Sequence, residues 1–168
     1  VTHHGTDEAK KAGRIYLGIL LATSVGLQLF AIIWTWNLAG TLDFRPDGIL
    51  AGTASDRVLS ILIVLFVFGV GKAAVMPFHR WLPAAMVAPT PVSALLHAVA
   101  VVKVGVFTIL KVAIYIFGLD TLAQLGSTPW LRWVVAATII LGSLVAFTKD
   151  NLKARLAYST ISQLSYIV

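Results

Sequence analysis

Lysines inside apolar segments are the residues of this sequence best suited to chemistry. Lys72 lies in the hydrophobic stretch 58–76, five residues before Pro77, and Lys103 lies near the middle of the apolar run 90–117. An ammonium in a membrane core costs at least about 2.5 kcal/mol on insertion scales, so such residues face protein or water. A lysine removed from water can release and recover a proton near neutral pH. We therefore expect both lysines to carry or relay charge, although a lysine can also extend its side chain to the membrane interface.

Histidine is the second candidate for proton transfer, because its charge changes near neutral pH. His97 precedes Lys103 by six residues, or roughly 9 Å along a helix, on a different face, so water would have to bridge them. We expect a relay role for His97; the alternative is a hydrogen bond across helices. For Lys111, relay and extension to the interface are equally compatible with its position. For His79, beside Arg80, a role in structuring the loop is at least as compatible as proton transfer.

The composition is that of an integral membrane protein. The chain has 168 residues, of which 58% are hydrophobic and 12% charged, and its mean hydropathy is +0.89; soluble domains carry about 25% charged residues. The net charge of +6 gathers at segment ends, which indicates membrane anchoring and contact with anionic lipid rather than nucleic-acid binding. Because cysteine is absent, disulfides, cysteine-ligated iron–sulfur clusters and thiol catalysis are excluded in this chain. The histidines lack metal-ligand spacing, so we expect neither a metal nor a cofactor.

The segments predict an all-α polytopic membrane bundle in a single membrane domain covering 1–168. Four helices and the start of a fifth fit the pattern, with spans near 14–38, 58–76, 90–117, 129–148 and 151–168, the last truncated. The second span is predicted to be discontinuous, because Pro77 and Pro83 interrupt it before it continues over 83–88. Such breaks are tolerated only against protein or water, and transporters place ion sites there. The chain starts at Val1 and stops within an apolar run, so we expect an interior piece of a longer protein.

Basic residues alternate between the two ends of these spans. The positive-inside rule places the more basic side in the cytoplasm, which indicates a bacterial-type inner membrane protein. The predicted cytoplasmic side includes Lys10, Lys11, Lys149, Lys153 and Arg155. We interpret the cluster at 149–155 as a solvated anchor.

Two motifs resemble the signatures of a known membrane family. The first motif has two parts: residues 72–86 read KAAVMPFHRWLPAAM and residues 88–97 read APTPVSALLH. The second motif is residues 150–163, which read DNLKARLAYSTISQ. These are similar to the proton-translocating antiporter-like membrane subunits. Such subunits occur in respiratory complex I (NADH–quinone oxidoreductase), in membrane-bound hydrogenases and in Mrp-type cation/proton antiporters. The resemblance covers 72–163, whereas 1–57 match in hydropathy and position alone.

The resemblance implies a fourteen-helix core of two inverted five-helix repeats, of which this piece would be helices six to nine and the start of ten. Lys72 would lie on the broken seventh helix and pair with a glutamate of the fifth helix, upstream of Val1. His97 matches the eighth-helix histidine that passes protons toward the second half, and Lys103 matches an eighth-helix lysine found in several members. Ala84 departs from the acidic or amide residue that many members carry there.

Three functions remain open at this point. The first is proton translocation by a subunit of a redox-driven complex, through a buried lysine and histidine relay. The second is a subunit of a Mrp-type monovalent cation/proton antiporter or of a proton-coupled inorganic-carbon uptake complex, with Na⁺ as a second ion. The third is a passive membrane anchor of an enzyme complex. In each case the partners are the lipid bilayer and other membrane subunits, and we expect no chemical catalysis in this chain itself.

Overall fold

The computed structural model describes residues 5–98, 101–125 and 129–167, and in the first range it leaves out the side chains of 96–98. The predicted all-α class is confirmed for this part of the chain. The α-helices are α1 (Asp7–Leu21), α2 (Leu29–Ala39), α3 (Asp56–Gly69), α4 (Trp81–Ala85), α5 (Thr90–Ala98), α6 (Val101–Lys111), α7 (Leu119–Gln124), α8 (Pro129–Thr148) and α9 (Leu152–Ser165).

A continuous helix runs from Asp7 to Ala39, with a π-helical segment at Ala22–Gln28 between α1 and α2. The Thr23 hydroxyl donates to the Ile19 carbonyl at 2.8 Å, and the Ser24 hydroxyl donates to the Leu20 carbonyl at 2.6 Å. Such bonds to the preceding turn compete with the regular ladder and accompany irregular helix geometry. Both hydroxyls thus bond within their own helix rather than across helices.

The broken helix begins its irregular stretch earlier than the prolines predict. α3 ends at Gly69 rather than at Met76, and a 3₁₀ turn over Gly71–Ala73 follows. Ala74 then adopts a left-handed conformation with φ 55°. Glycine disfavours helix by about 1 kcal/mol relative to alanine, so the pair at 69 and 71 weakens the helix before Pro77 is reached. Lys72 therefore lies inside the break rather than in the helix before it.

The loop between α2 and α3 is fixed to the end of a second π-helical segment, Val112–Phe117. The backbone N–H groups of Ile49 and Leu50 both donate to the Ile116 carbonyl, at 2.9 and 3.0 Å. Gly48, with φ 78°, lies so close to the backbone of Phe117 that a Cβ at this position would be 2.5 Å from the Phe117 carbonyl carbon. Ile49 and Leu50 are buried beside α3, so the loop forms part of the core.

Helices α8 and α9 pack against each other along their length. The Ser143 and Ser162 hydroxyls lie 2.8 Å apart across this interface, and Ser162 also donates to the Ile139 carbonyl at 3.0 Å. The Asn151 side chain caps α9 by accepting from the Lys153 backbone N–H at 2.9 Å, as predicted for the start of this helix. Thr128, directly before Pro129, is the residue that the sequence suggests as the cap of α8, and it lies outside the described residues.

Two helices in the described part are long and apolar enough to cross a membrane, judged by length and composition. They are Asp7–Ala39 and Pro129–Thr148. The predicted spans 14–38 and 129–148 fall within them.

Gly48 allows a test of the docked loop. We expect Gly48→Ala to lower the free energy of unfolding by at least about 2 kcal/mol, since the left-handed backbone alone costs an alanine about 1 kcal/mol and the added Cβ would lie 2.5 Å from the Phe117 carbonyl carbon. Gly52→Ala is the matched control, because Gly52 also has a positive φ (69°) but open space around it. Denaturant unfolding of the full-length protein in detergent measures both. Equal losses would contradict the docking.

Candidate functional site

The break places Lys72 in a 3₁₀ turn between α3 and α4, with a solvent-exposed side chain. Its neighbours Gly71 and Ala73 are buried, and so are Ala74 and Val75. The backbone around the lysine is therefore fixed in protein while the ammonium group remains free to reach water or another helix. This arrangement satisfies the requirement that irregular backbone at membrane depth be buried in protein or line a cavity.

Lys72 lines a cavity of about 180 Å³ between the broken helix and the long N-terminal helix. The long N-terminal helix contributes the first π segment to this cavity, including Thr23, Ser24 and Gln28. Thr108 of α6 adds another hydroxyl to the lining. The lining is mainly apolar, and its polar groups are the side chains of Thr23, Ser24, Gln28, Thr108 and Lys72. The volume is large enough for water molecules. A few hydroxyl and amide groups therefore line the cavity beside Lys72.

Two glycines let the break approach the first π segment closely. A Cβ at Gly69 would lie 2.7 Å from the Gln28 backbone nitrogen, and a Cβ at Gly71 would overlap the Thr23 side chain. The backbone at Gly69 thus meets the backbone of Gln28 and Gly71 meets the Thr23 side chain, so Lys72 lies beside the polar part of the N-terminal helix.

A third glycine brings the helix carrying Lys103 against the backbone of Lys72. A Cβ at Gly105 would overlap the Ala73 nitrogen and lie 2.5 Å from the Lys72 carbonyl carbon. Helix α6 therefore packs directly on the 3₁₀ turn. The structure thus brings together the segments that carry the two lysines predicted to relay protons. The Lys103 side chain is exposed in the described part of the chain.

Trp81 fixes the break from the other side. Its indole N–H donates to the Gly71 carbonyl at 2.9 Å, and its ring is fully buried. The same carbonyl accepts the Ala74 backbone N–H at 3.1 Å. Tyr16 of α1 packs edge-on against the indole, with ring centroids 5.7 Å apart. The tryptophan therefore gives the Gly71 carbonyl a second donor in addition to the one within the 3₁₀ turn.

Lys111 lies at the other end of α6 and is enclosed by aromatic rings. Its ammonium nitrogen is 4.4 Å from the ring centroid of Tyr115 and 5.6 Å from those of Phe44 and Phe107. Cation–π contacts at these distances are favourable. Phe44 belongs to the docked loop, so Lys111 helps hold this loop against α6. This contact supports a structural role for Lys111, and its relay role stays a prediction.

The two histidines considered for proton transfer, His79 and His97, lie in different elements of the structure. His79 is half-buried in the turn Phe78–Arg80, and its ring centroid is 6.2 Å from that of Tyr158 in α9. Its Nδ1 atom is buried and has no hydrogen-bond partner among the described residues. His97 belongs to α5, but its side chain lies outside the described part of the structure. The predicted contact of His97 with the lysine path therefore stays a prediction.

The described residues contain no carboxylate within ion-pair distance of Lys72; the recorded ion pair joins Lys10 and Asp7 on the exposed surface, at 3.5 Å. They also contain no group of histidines and acids that could hold a metal ion. Any anionic partner of Lys72 must come from another part of the protein or from another subunit.

Sequence reasoning missed Trp81 and Gly105 as parts of this site. A tryptophan between prolines signals packing, but nothing in the sequence identifies its hydrogen-bond acceptor. Gly105 carries a clearer signal, because glycine within a membrane helix often marks close backbone approach.

Removal of the indole N–H tests how the break is held. We expect Trp81→Phe to lower the free energy of unfolding by about 1–2 kcal/mol, because the phenyl ring leaves a small void and the Gly71 carbonyl loses one of its two donors. Trp133→Phe is the control, since Trp133 is 76% exposed. Denaturant unfolding of the full-length protein in detergent compares them. A Trp81→Phe protein as stable as the control variant would show that the hydrogen bond is not needed.

Gly105 tests the contact between the two lysine segments. We expect Gly105→Ala to lower the free energy of unfolding by about 1–3 kcal/mol, since its Cβ has no space against the Lys72 and Ala73 backbone. Gly18→Ala, in a helix and with open space around it, should be neutral or stabilising by up to about 1 kcal/mol. The opposite signs distinguish the contact from ordinary helix propensity. A stabilising effect of both substitutions would argue against the packing of α6 on the break.

Comparison with known proteins adds to this geometry. The family model described as "NADH:quinone oxidoreductase/Mrp antiporter, TM" matches residues 1–168. The chain is 37% identical over 169 residues to NADH-ubiquinone oxidoreductase chain 5 of Metridium senile, a match that covers 96% of this chain and 26% of the relative.

A bacterial relative shows similar agreement. The chain is 37% identical over 131 residues to NAD(P)H-quinone oxidoreductase chain 5 of Synechocystis sp. (strain ATCC 27184 / PCC 6803 / Kazusa), covering 77% of this chain and 18% of the relative. The chain thus spans about a quarter or less of the length of these relatives. The full-length family match and these identities confirm the resemblance in the two motifs, and the chain belongs to the NADH:quinone oxidoreductase/Mrp antiporter family of membrane proteins.

Proposed function

We propose that this chain is part of an antiporter-like subunit that translocates protons across the membrane within a redox-driven complex of the NADH–quinone oxidoreductase type. The observation that carries the proposal is the position of Lys72 within a helix break, at the wall of a cavity with several polar side chains and against the helix that carries Lys103. Proton transfer through the subunit requires titratable groups that water can connect. Electron transfer belongs to other parts of the assembly, and this chain contributes no redox group.

In the proposed path, Lys72 is the switchable proton site. A carboxylate supplied from elsewhere in the subunit favours its charged form, and movement of that carboxylate releases the proton. His97 and Lys103 continue the path laterally along α5 and α6, with water in the gaps. Gly105 packs on the Lys72 backbone, and Lys103 lies two residues from it on a different face of α6, so water has to connect the two ammonium groups.

We also propose how the chain lies in the membrane. Four helices cross the bilayer and a fifth begins, the second crossing being the broken one. The basic ends that include Lys10, Lys11 and Lys149 face the cytoplasm and contact anionic lipid, in a bacterial-type inner membrane. Other membrane subunits of the complex cover part of the remaining apolar surface.

A second candidate function is exchange of a monovalent cation such as Na⁺ for protons, as in Mrp-type antiporters, which the family description also includes. The names of the relatives, NADH-ubiquinone and NAD(P)H-quinone oxidoreductase chain 5, favour the redox-driven complex. A passive anchor would require neither the cavity nor the two lysines.

Substitution of the lysines tests the relay. We expect Lys72→Ala to reduce the number of protons pumped per electron by at least about tenfold, because a positioned acid–base group contributes on the order of 10²-fold or more to proton transfer. Lys103→Ala should lower the same ratio. The measurement uses the full-length subunit in its native complex in closed vesicles, with NADH as donor and a pH-sensitive dye as readout.

Lys149→Ala is the matched control, because Lys149 is exposed at the end of α8. An unchanged ratio in both Lys72→Ala and Lys103→Ala, with the complex assembled, would contradict the relay and leave the passive anchor. Transport that needs Na⁺ but no electron donor would favour the antiporter.

A further inference from the structure

The first turn of α9 reaches back to the broken helix through Lys153. The Nζ atom of Lys153 donates to the Ala88 carbonyl at 3.1 Å, across 65 residues of sequence. Lys153 is partly buried, whereas Lys149 and Asp150 are exposed. The interpretation of this basic cluster as a solvated anchor is therefore wrong for Lys153. Arg155 behaves differently, since its Nε donates to the Lys149 carbonyl on the exposed surface.

The acceptor lies at the end of the broken helix. Ala88 is almost fully buried and stands just after α4, directly before Pro89. Its carbonyl also accepts the Ser93 hydroxyl at 3.0 Å, so a side chain of α5 and a side chain of α9 converge on one oxygen. A hydrogen bond from an ammonium is stronger than one between neutral groups.

Apolar contacts of α9 reinforce this link. Ala157 and Ile161 are fully buried in one cluster with Trp81, Leu82 and Ala85 of α4. Helix α9 thus forms, together with α1, the surface against which the second half of the break packs.

The segment from Gly71 to Ala88 has a side-chain hydrogen bond at each end. Within the segment the Trp81 indole binds the Gly71 carbonyl, and from α9 the Lys153 ammonium binds the Ala88 carbonyl. Lys72 directly follows the first of these carbonyls. The buried α4 connects the Ala88 end to the turn that carries Lys72.

We propose that Lys153 is a positioning residue for proton transfer: its ammonium fixes the Ala88 end of the broken helix to α9 and thereby sets the place of Lys72 in its cavity. The proposal rests on the proposed function of Lys72. It also links the two sequence motifs physically, because Lys153 belongs to the second motif and its acceptor to the first.

The test uses the full-length subunit in its native complex and the ratio of protons pumped to electrons transferred. We expect Lys153→Met to lower this ratio by about tenfold, the factor that corresponds to about 1.4 kcal/mol. Lys153→Arg, which keeps a charged donor, should retain most of the ratio, and Lys149→Met should leave it unchanged.

Chemical restoration of the ammonium separates positioning from folding. Lys153→Cys, treated in the assembled complex with an aminoethyl thiosulfonate, regains a side chain close in length and charge to lysine. The methyl thiosulfonate adds a neutral group, and the parent complex treated with each reagent shows any effect on other cysteines. We expect the aminoethyl reagent to restore pumping and the methyl reagent not to restore it.

The outcomes separate this inference from the proposed function. If Lys72→Ala abolishes pumping while assembled Lys153→Met keeps the parent ratio, the positioning role is wrong and the function stands. If both reagents restore the Lys153→Cys complex equally, the charge is not required and the inference is again wrong. If Lys72→Ala pumps normally, the proposed function fails independently of Lys153.

Discussion

The structure depends on one requirement: the backbone carbonyl and N–H groups at the helix break, and the Lys72 ammonium beside them, need polar partners within an apolar chain. A helix that stops inside a membrane protein exposes carbonyl and N–H groups that lipid cannot satisfy. Here the Trp81 indole of α4 binds the Gly71 carbonyl. Within the 3₁₀ turn, the N–H groups of Ala73 and Ala74 bind the carbonyls of Val70 and Gly71. The glycines at 69, 71 and 105 have no side chain, which lets the neighbouring helices approach closely enough. Lys72 therefore has an exposed side chain on a backbone whose neighbouring residues are buried.

The two ends of the molecule use different physics for their lysines. Near the break, Lys72 lines a cavity that also contains hydroxyl and amide groups, and Lys153 binds a backbone carbonyl. At the other end, Lys111 lies among aromatic rings and fastens the loop that carries Phe44. The side chains around each lysine thus determine which contacts it makes.

The sequence predicts the elements whose signals are local. The helix Pro129–Thr148 and the cap at Asn151 follow from a proline start, an apolar run and a capping side chain. The onset of the break could not be predicted from Pro77, because it depends on Gly69 meeting the Gln28 backbone and Gly71 meeting the Thr23 side chain of another helix. The partners of Trp81 and Lys153 lie 10 and 65 residues away, and no local pattern identifies them. The sequence thus identified the candidate lysines by residue type, whereas the contacts that position them could not be identified.

The central claim is that Lys72 changes protonation during turnover, and infrared difference spectroscopy of the working complex tests it most directly. The full-length subunit in its complex would carry ¹⁵N-labelled lysine, and spectra would be recorded with and without electron donor. We predict an ammonium deformation band that shifts on labelling, changes with turnover, and is lost in Lys72→Arg, whose guanidinium stays protonated. An identical lysine signal in wild type and Lys72→Arg, or no lysine signal during active pumping, would contradict the account.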